Sequence, residues 1–274
     1  MNRLRVVRRT LLVVAIVFAL GLSLSPAPAR AITWGILDGN AHPYVGAIVL
    51  DYGGGNVSEF CSGSLVSPHV FLTAGHCALP LEAYVPLGVV FVSFATNFLA
   101  AGADRHAVVA AIPNPDYHWG PTSDPHDTGV LILSDGVTSV GYTTLAPEGY
   151  LDALRASGVI QSTRFINVGY GDNESLVVSG YRALSYSSYM NLHEAWLYMS
   201  QNNRTGNGGT CYGDSGGPTF VADAATGRLY QVTTVSHGDT KCKSTNINYR
   251  TDIPSTLDFL HAMVSLFDPG FEIS

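Results

Sequence analysis

Hydrophobic positions along the chain fall into short runs rather than long periodic stretches. Residues 44–50, 63–66, 70–73, 89–94, 130–133, 165–168, 219–221 and 230–235 are apolar or alternating, and rich in β-branched and aromatic side chains. Glycine, proline, asparagine and aspartate separate them. Runs of this length, bounded by turn residues, predict β-strands, and many in succession predict an all-β sandwich or barrel. The tyrosine-rich stretch 181–189 reads as a further alternating strand and turn. One helix stands out near the end. Leu257, Leu260, Val264 and Phe267 recur at helical spacing, with Pro254 just ahead, where a first turn accepts proline. A break at Ala146-Pro147-Glu148-Gly149 separates residues 32–146 from 147–274, two similar halves compatible with two β-barrels and a terminal helix.

Residues 1–31 carry a different pattern. Arg3, Arg5, Arg8 and Arg9 precede an apolar run of 14 residues over 11–24, and the small residues Ala27, Ala29 and Ala31 follow in A-x-A order. That order predicts a secretory signal peptide, because the run is short for a membrane span; an uncleaved anchor is the alternative. A secreted protein with no stable membrane insertion is therefore expected.

Composition narrows the class. Of 274 residues, 46% are hydrophobic and only 13% charged, which excludes a disordered chain. The 29 glycines follow no fixed period, and no repeat suggests a solenoid. Five of the 14 basic side chains lie in the first 31 residues, which hold no acid. The nine that remain face 21 acidic ones, a net charge of −12. A phosphate backbone would repel such a domain, so no nucleic-acid partner is expected. In an oxidising compartment Cys61, Cys77, Cys211 and Cys242 suggest two disulfides. Three pairings are open, and the local one, Cys61–Cys77 with Cys211–Cys242, is the economical choice. No C-x-x-C, H-E-x-x-H or paired Cys/His spacing points to a metal, and no cofactor is expected. His118 and His126 read as loop residues.

Three segments carry candidate chemistry. In Gly213-Asp214-Ser215-Gly216-Gly217-Pro218 a serine sits between glycines, on a turn whose N–H groups can approach a substrate carbonyl. In Leu72-Thr73-Ala74-Gly75-His76-Cys77 a histidine stands beside a half-cystine. Asp127 precedes the apolar run 130–133 and can be buried and aimed there; Asp124 is its competitor.

Together these segments resemble the chymotrypsin/trypsin family of serine proteases, in the order histidine, aspartate, serine. Val168-Gly169-Tyr170-Gly171 and Val235-Ser236-His237-Gly238 extend the resemblance into the second half. The resemblance implies two antiparallel six-stranded β-barrels with a C-terminal helix. It implies acyl transfer in which Ser215 is the nucleophile, His76 the general base and Asp127 its orienting carboxylate. The N–H groups of Gly213 and Ser215 would form the oxyanion hole, and Ser236 would help to bury Asp127. In the substrate pocket the floor falls on Gly209 and Thr210, His237 and Gly238 lie on the wall strand, and Ile247 is near the back. A glycine floor cannot pair with Lys or Arg, so a neutral side chain is expected before the scissile bond; Asp239 is the acid that could restore a cationic preference. Activation is expected through a free Ile32 amino terminus, exposed by signal removal and paired with Asp214. Expected partners are polypeptide substrates and protein protease inhibitors, and the chain is expected to be a monomer. The rival readings are a catalytically silent, protease-like binding protein and an esterase with the same triad.

Overall fold

The computed structural model describes residues 32–120 and 122–273; the signal-peptide assignment lies outside them. A short strand, β1 (Ile36–Leu37), precedes the first barrel in the chain. The barrel's members are β2 (Val45–Asp51), β3 (Val57–Leu65), β4 (Val70–Thr73), β5 (Val90–Ser93), β6 (His106–Pro113) and β7 (Gly129–Leu133). These six antiparallel strands close in the order β2-β3-β4-β7-β6-β5. After β8 (Thr144–Leu145) come β9 (Arg164–Gly169), β10 (Ala183–Leu192), β11 (Trp196–Ser200), β12 (Pro218–Ala222), β13 (Leu229–Gly238) and β14 (Thr245–Arg250). The last six run β9-β10-β11-β14-β13-β12 and close through β12 on β9, making the second six-stranded barrel.

The two barrels share a seam that explains the unbroken apolar run of β2. Ile48 and Leu50 pack inside the first barrel with Phe71 and Leu131. Val45, Ala47 and Val49, on the opposite face, pack against Val168, Tyr170 and Phe220 of the second. A strand buried on both faces has no polar alternation to show. Inside the second barrel, polar side chains bond to one another. Asn167 Nδ2 donates to Ser187 Oγ at 2.8 Å, Thr219 Oγ1 to Asn167 Oδ1 at 2.9 Å, and Asn248 Nδ2 to Thr219 Oγ1 at 2.7 Å.

Three helices accompany the barrels among the described residues: α1 (Gly75–Leu81), α2 (Tyr150–Ala156) and α3 (Pro254–Phe267). The terminal helix begins at Pro254, as its sequence predicts. It docks on the first barrel, where Phe259, Leu260 and Val264 join Val66, Val70, Leu72 and Val130. Asp268, just past its end, accepts hydrogen bonds from Ser67 Oγ at 2.6 Å and from the His69 N–H at 2.9 Å. At the other end of the described chain, β1 pairs with β10 of the second barrel. No described helix is long and apolar enough to cross a membrane.

Arg182, fully buried, ties this N-terminal segment to both barrels. Its Nε donates to Asp38 Oδ2 at 2.9 Å, and Nη1 donates to the carbonyls of Val45 and Phe94, both at 3.0 Å. Burial alone would raise the Asp38 carboxyl, but hydrogen bonds from His42 and Arg182 hold it at about 2. Arg182→Met leaves Asp38 buried without its guanidinium and is expected to cost about 3–5 kcal/mol in urea unfolding at neutral pH. Adding Asp38→Asn should recover part of that loss. Because the folded pKa lies below 3.8, this stabilisation is present above about pH 4 and lost as pH falls through about 2, so the gap to wild type should narrow over that range.

Candidate active site

His76 enters the cleft on the first turn of α1, directly after β4. Its neighbour Cys77 is bonded to Cys61 on β3, which fixes the helix start to the barrel wall. Asp127 lies two residues ahead of β7, after a left-handed turn at His126 whose N–H is held by Asp124. The Asp127 carboxylate is buried and fully engaged. It accepts the His76 backbone N–H at 3.0 Å, faces His76 Nδ1 at 3.0 and 3.1 Å, and accepts Ser236 Oγ at 2.6 Å. Burial alone would raise its pKa, but the His76 charge and ring hydrogen bond, with those from Ser236 and the His76 backbone, hold it below the ordinary value. Asp124 is occupied elsewhere: it accepts the hydroxyls of Tyr249 and Ser255. The structure therefore brings Asp127, and not its competitor, to His76.

Ser215 and His76 line one cavity of about 420 Å³, together with Glu59, Phe60, Asp172, Tyr212 and Gly213. The turn that presents Ser215 depends on Gly213 at φ 90° and Gly216 at φ 76°, a region that side-chain-bearing residues avoid. Within it, the N–H groups of Asp214, Gly216 and Gly217 bond to the carbonyls of Cys211, Val235 and Asp214. Those of Gly213 and Ser215 find no acceptor among the described residues. Two free donors beside a serine suit a developing oxyanion, and an imidazole held at Nδ1 by a carboxylate can take a proton at Nε2.

On the other side of Asp127 lies a largely apolar cavity of about 290 Å³, lined by Tyr117, Trp119, Trp196, Ser236 and His237. Trp119 stands 83% exposed, its ring 6.4 Å from that of His76. His237, still solvent-exposed, packs edge-on to Trp196 at 5.2 Å, and the partial desolvation there pushes the imidazole pKa down. His118 and His126 lie in the loop between β6 and β7, as expected.

The residues expected to form the substrate pocket lie in the second barrel. Gly209 exchanges backbone hydrogen bonds with Thr33, N to O at 3.1 Å and O to N at 3.0 Å. Thr210, buried, donates to Asn246 Oδ1 at 2.7 Å. Gly238 ends β13 opposite Asn246, while half-buried Ile247 pairs with His237. Asp239 spends its carboxylate on the loop behind it, accepting the N–H groups of Lys243, Ser244 and Thr245. The second disulfide, Cys211–Cys242, joins that loop to the turn before Ser215.

Ile32 is fully buried, and its N–H donates to the Gly171 carbonyl at 3.2 Å. Gly171 in turn donates its own N–H to Asp214 Oδ1 at 2.9 Å, so one residue bridges the two. Asp214 also accepts the Cys211 N–H, yet complete burial lifts its pKa to about 7. Two further residues carry no signal in the sequence. The Glu59 carboxyl is buried against Gly213 with neither oxygen hydrogen-bonded among the described residues. Burial, with Asp214 and Asp172 nearby, drives its pKa well above the usual carboxylate value. Gln201 places its amide beside Gly209. Cys61, His76 and Cys77 bring ligand atoms within 4.8 Å of one another, but both sulfurs are consumed by the disulfide, so this cluster offers no metal site.

The trypsin family model matches residues 38–260. Among curated proteins, the chain is 23% identical over 245 residues to the CLIP domain-containing serine protease B15 of Anopheles gambiae, covering 82% of this chain and 66% of that protein. It is 28% identical over 195 residues to the venom serine protease Bi-VSP of Bombus ignitus, covering 66% of this chain and 52% of that protein. The matches thus span from about half to two thirds of the length of these relatives. With two six-stranded barrels and the family model running through both, the chain belongs to the trypsin family of serine proteases.

Proposed function

We propose that this protein is a secreted endopeptidase that cleaves polypeptides through an acyl-enzyme on Ser215. The observation that carries the reading is the buried Asp127 carboxylate, held by Ser236 and by His76, which lines one cavity with Ser215. His76 takes the Ser215 proton as the hydroxyl attacks the substrate carbonyl, then delivers it to the leaving amine. Asp127 fixes the Nδ1–H tautomer and stabilises the imidazolium. The free N–H groups of Gly213 and Ser215 receive the oxyanion, where losing one donor of this kind costs about 2.7–4 kcal/mol. The substrate side chain before the scissile bond is neutral, since Gly209 offers no carboxylate and Asp239 is engaged by its own loop. Secretion is supported by the two disulfides and by the leader-like pattern of residues 1–31.

Activation follows from the same geometry. Cleavage before Ile32 turns its N–H into an ammonium, already buried one residue from Asp214 through Gly171. The ammonium supplies the countercharge that Asp214 otherwise lacks, and the Ser215 turn is thereby held in place.

Three outcomes test this. A fluorophosphonate probe should add one adduct to the intact mass of a chain starting at Ile32, and none to Ser215→Ala; an unlabelled Ile32-led chain would overturn the reading. Asp127→Asn should lower kcat by roughly 10⁴ in peptide hydrolysis, because the tautomer at His76 is lost. A chain retaining residue 31 keeps Asp214 at about 7, above its unfolded value of 3.8. Its stability should be intact below about pH 4 and decline as pH rises through about 7, whereas the Ile32-led chain should lack that part of the decline; Tm against pH for the two chains measures the difference.

A further inference from the structure

Gly209 leaves the floor of the proposed pocket without a side chain, but the space is not empty. A Cβ built on Gly209 would lie 2.0 Å from Gln201 Oε1 and 2.3 Å from its amide carbon. A Cβ built on Gly238, at the other end of the pocket, would lie 3.4 Å from Gln201 Nε2. The Gln201 side chain therefore stands between the two glycines, in the volume that a side chain on Gly209 would take. It is 1% exposed. It is also held at its amide nitrogen: Nε2 donates to the Thr245 carbonyl at 2.9 Å, while the Thr33 hydroxyl, 3.3 Å from Oε1, makes its shorter bond to the Gly209 carbonyl at 2.9 Å. Swinging out would break the Nε2 bond and cost the buried amide its acceptor.

Two groups at this base are neutral as well: Thr210 and Asn246 bond to each other. Asp239, the nearby acid, stays ionised, with its Oδ1 turned to the backbone N–H groups of Lys243, Ser244 and Thr245. A Lys or Arg side chain reaching this base would meet an amide in place of a carboxylate, and a large aromatic would meet it before reaching full depth.

We infer that Gln201 is the specificity-determining residue of the primary pocket, a fixed amide plug that restricts the position before the scissile bond to small, uncharged side chains. The inference rests on the serine-protease reading above and adds to it the class of residue cleaved. It also accounts for Gly209: no side chain there is compatible with Gln201 as it stands, so Gly209→Asp must displace that amide before it can make a cation site.

The test is kcat/KM on matched peptides ending in Ala, Phe or Arg, for wild type, Gln201→Asn and Gln201→Ala. Active-site concentration is fixed in each case by fluorophosphonate titration of the Ile32-led chain. Wild type should favour Ala at least tenfold over both others. Shortening residue 201 should raise the Phe-to-Ala ratio progressively, by about tenfold or more for Gln201→Ala, since one or two methylenes of pocket depth carry that much discrimination. If only Gln201→Asn folds, a rise in that ratio is the expected result and an unchanged ratio overturns the assignment. A wild-type preference for Arg or Phe overturns it too, as does an equal fall on all three peptides in the variants, which marks a purely structural role. Titration separates the failures: labelled enzyme with the wrong preference overturns the pocket assignment alone, while absent labelling overturns the function with it.

Discussion

A buried carboxylate at the seam of two barrels is the constraint on which the rest of the structure turns. Asp127 has left water, and it is stable there only because donors converge on it from two different folding units. His76 arrives on a helix of the first barrel and Ser236 on a strand of the second. The first barrel alone would leave the carboxylate with His76 but without the Ser236 donor, a bond to a charged group worth about 1.5–3 kcal/mol. The seam around β2, with apolar side chains on both faces, holds those donors in register. Asp214 repeats the problem in the second barrel, and there the backbone N–H groups of Gly171 and Cys211 answer it only in part.

Much of this was legible in the sequence, and the parts that were not have a common cause. Strands whose buried face is aliphatic stood out: the run 70–73 coincides with β4, and 130–133 falls within β7. β14 was silent because its inward residues are Asn246 and Asn248, polar side chains made tolerable by partners on β9, β12 and β13 that no local pattern reveals. β6 was hidden by alanines, poor strand formers in isolation. Helix α1 contains Pro80 and lacks a side-chain cap, so nothing local announces it.

The site divides along the same line. Segments whose chemistry is written into contiguous residues, such as the glycine-flanked Ser215 and the histidine beside a half-cystine, could be recognised directly. Gln201 and Glu59 could not. Each is a lone polar residue in an ordinary stretch, and each matters only through a glycine distant in sequence, Gly209 for one and Gly213 for the other. A glycine in a motif marks space left open, and the sequence does not say which residue moves into it.

The two ends of the described chain cross over, β1 joining the second barrel and α3 sealing the first. Because α3 follows the second barrel in the chain, the helix that covers Val66, Val70 and Val130 is made long after them. The apolar flank of the first barrel therefore waits uncovered until the second barrel and α3 have been synthesised. Such high-separation contacts slow folding and lengthen exposure to aggregation. Removing α3 should therefore damage the distant His76 half of the molecule before the barrel that precedes the helix in the chain.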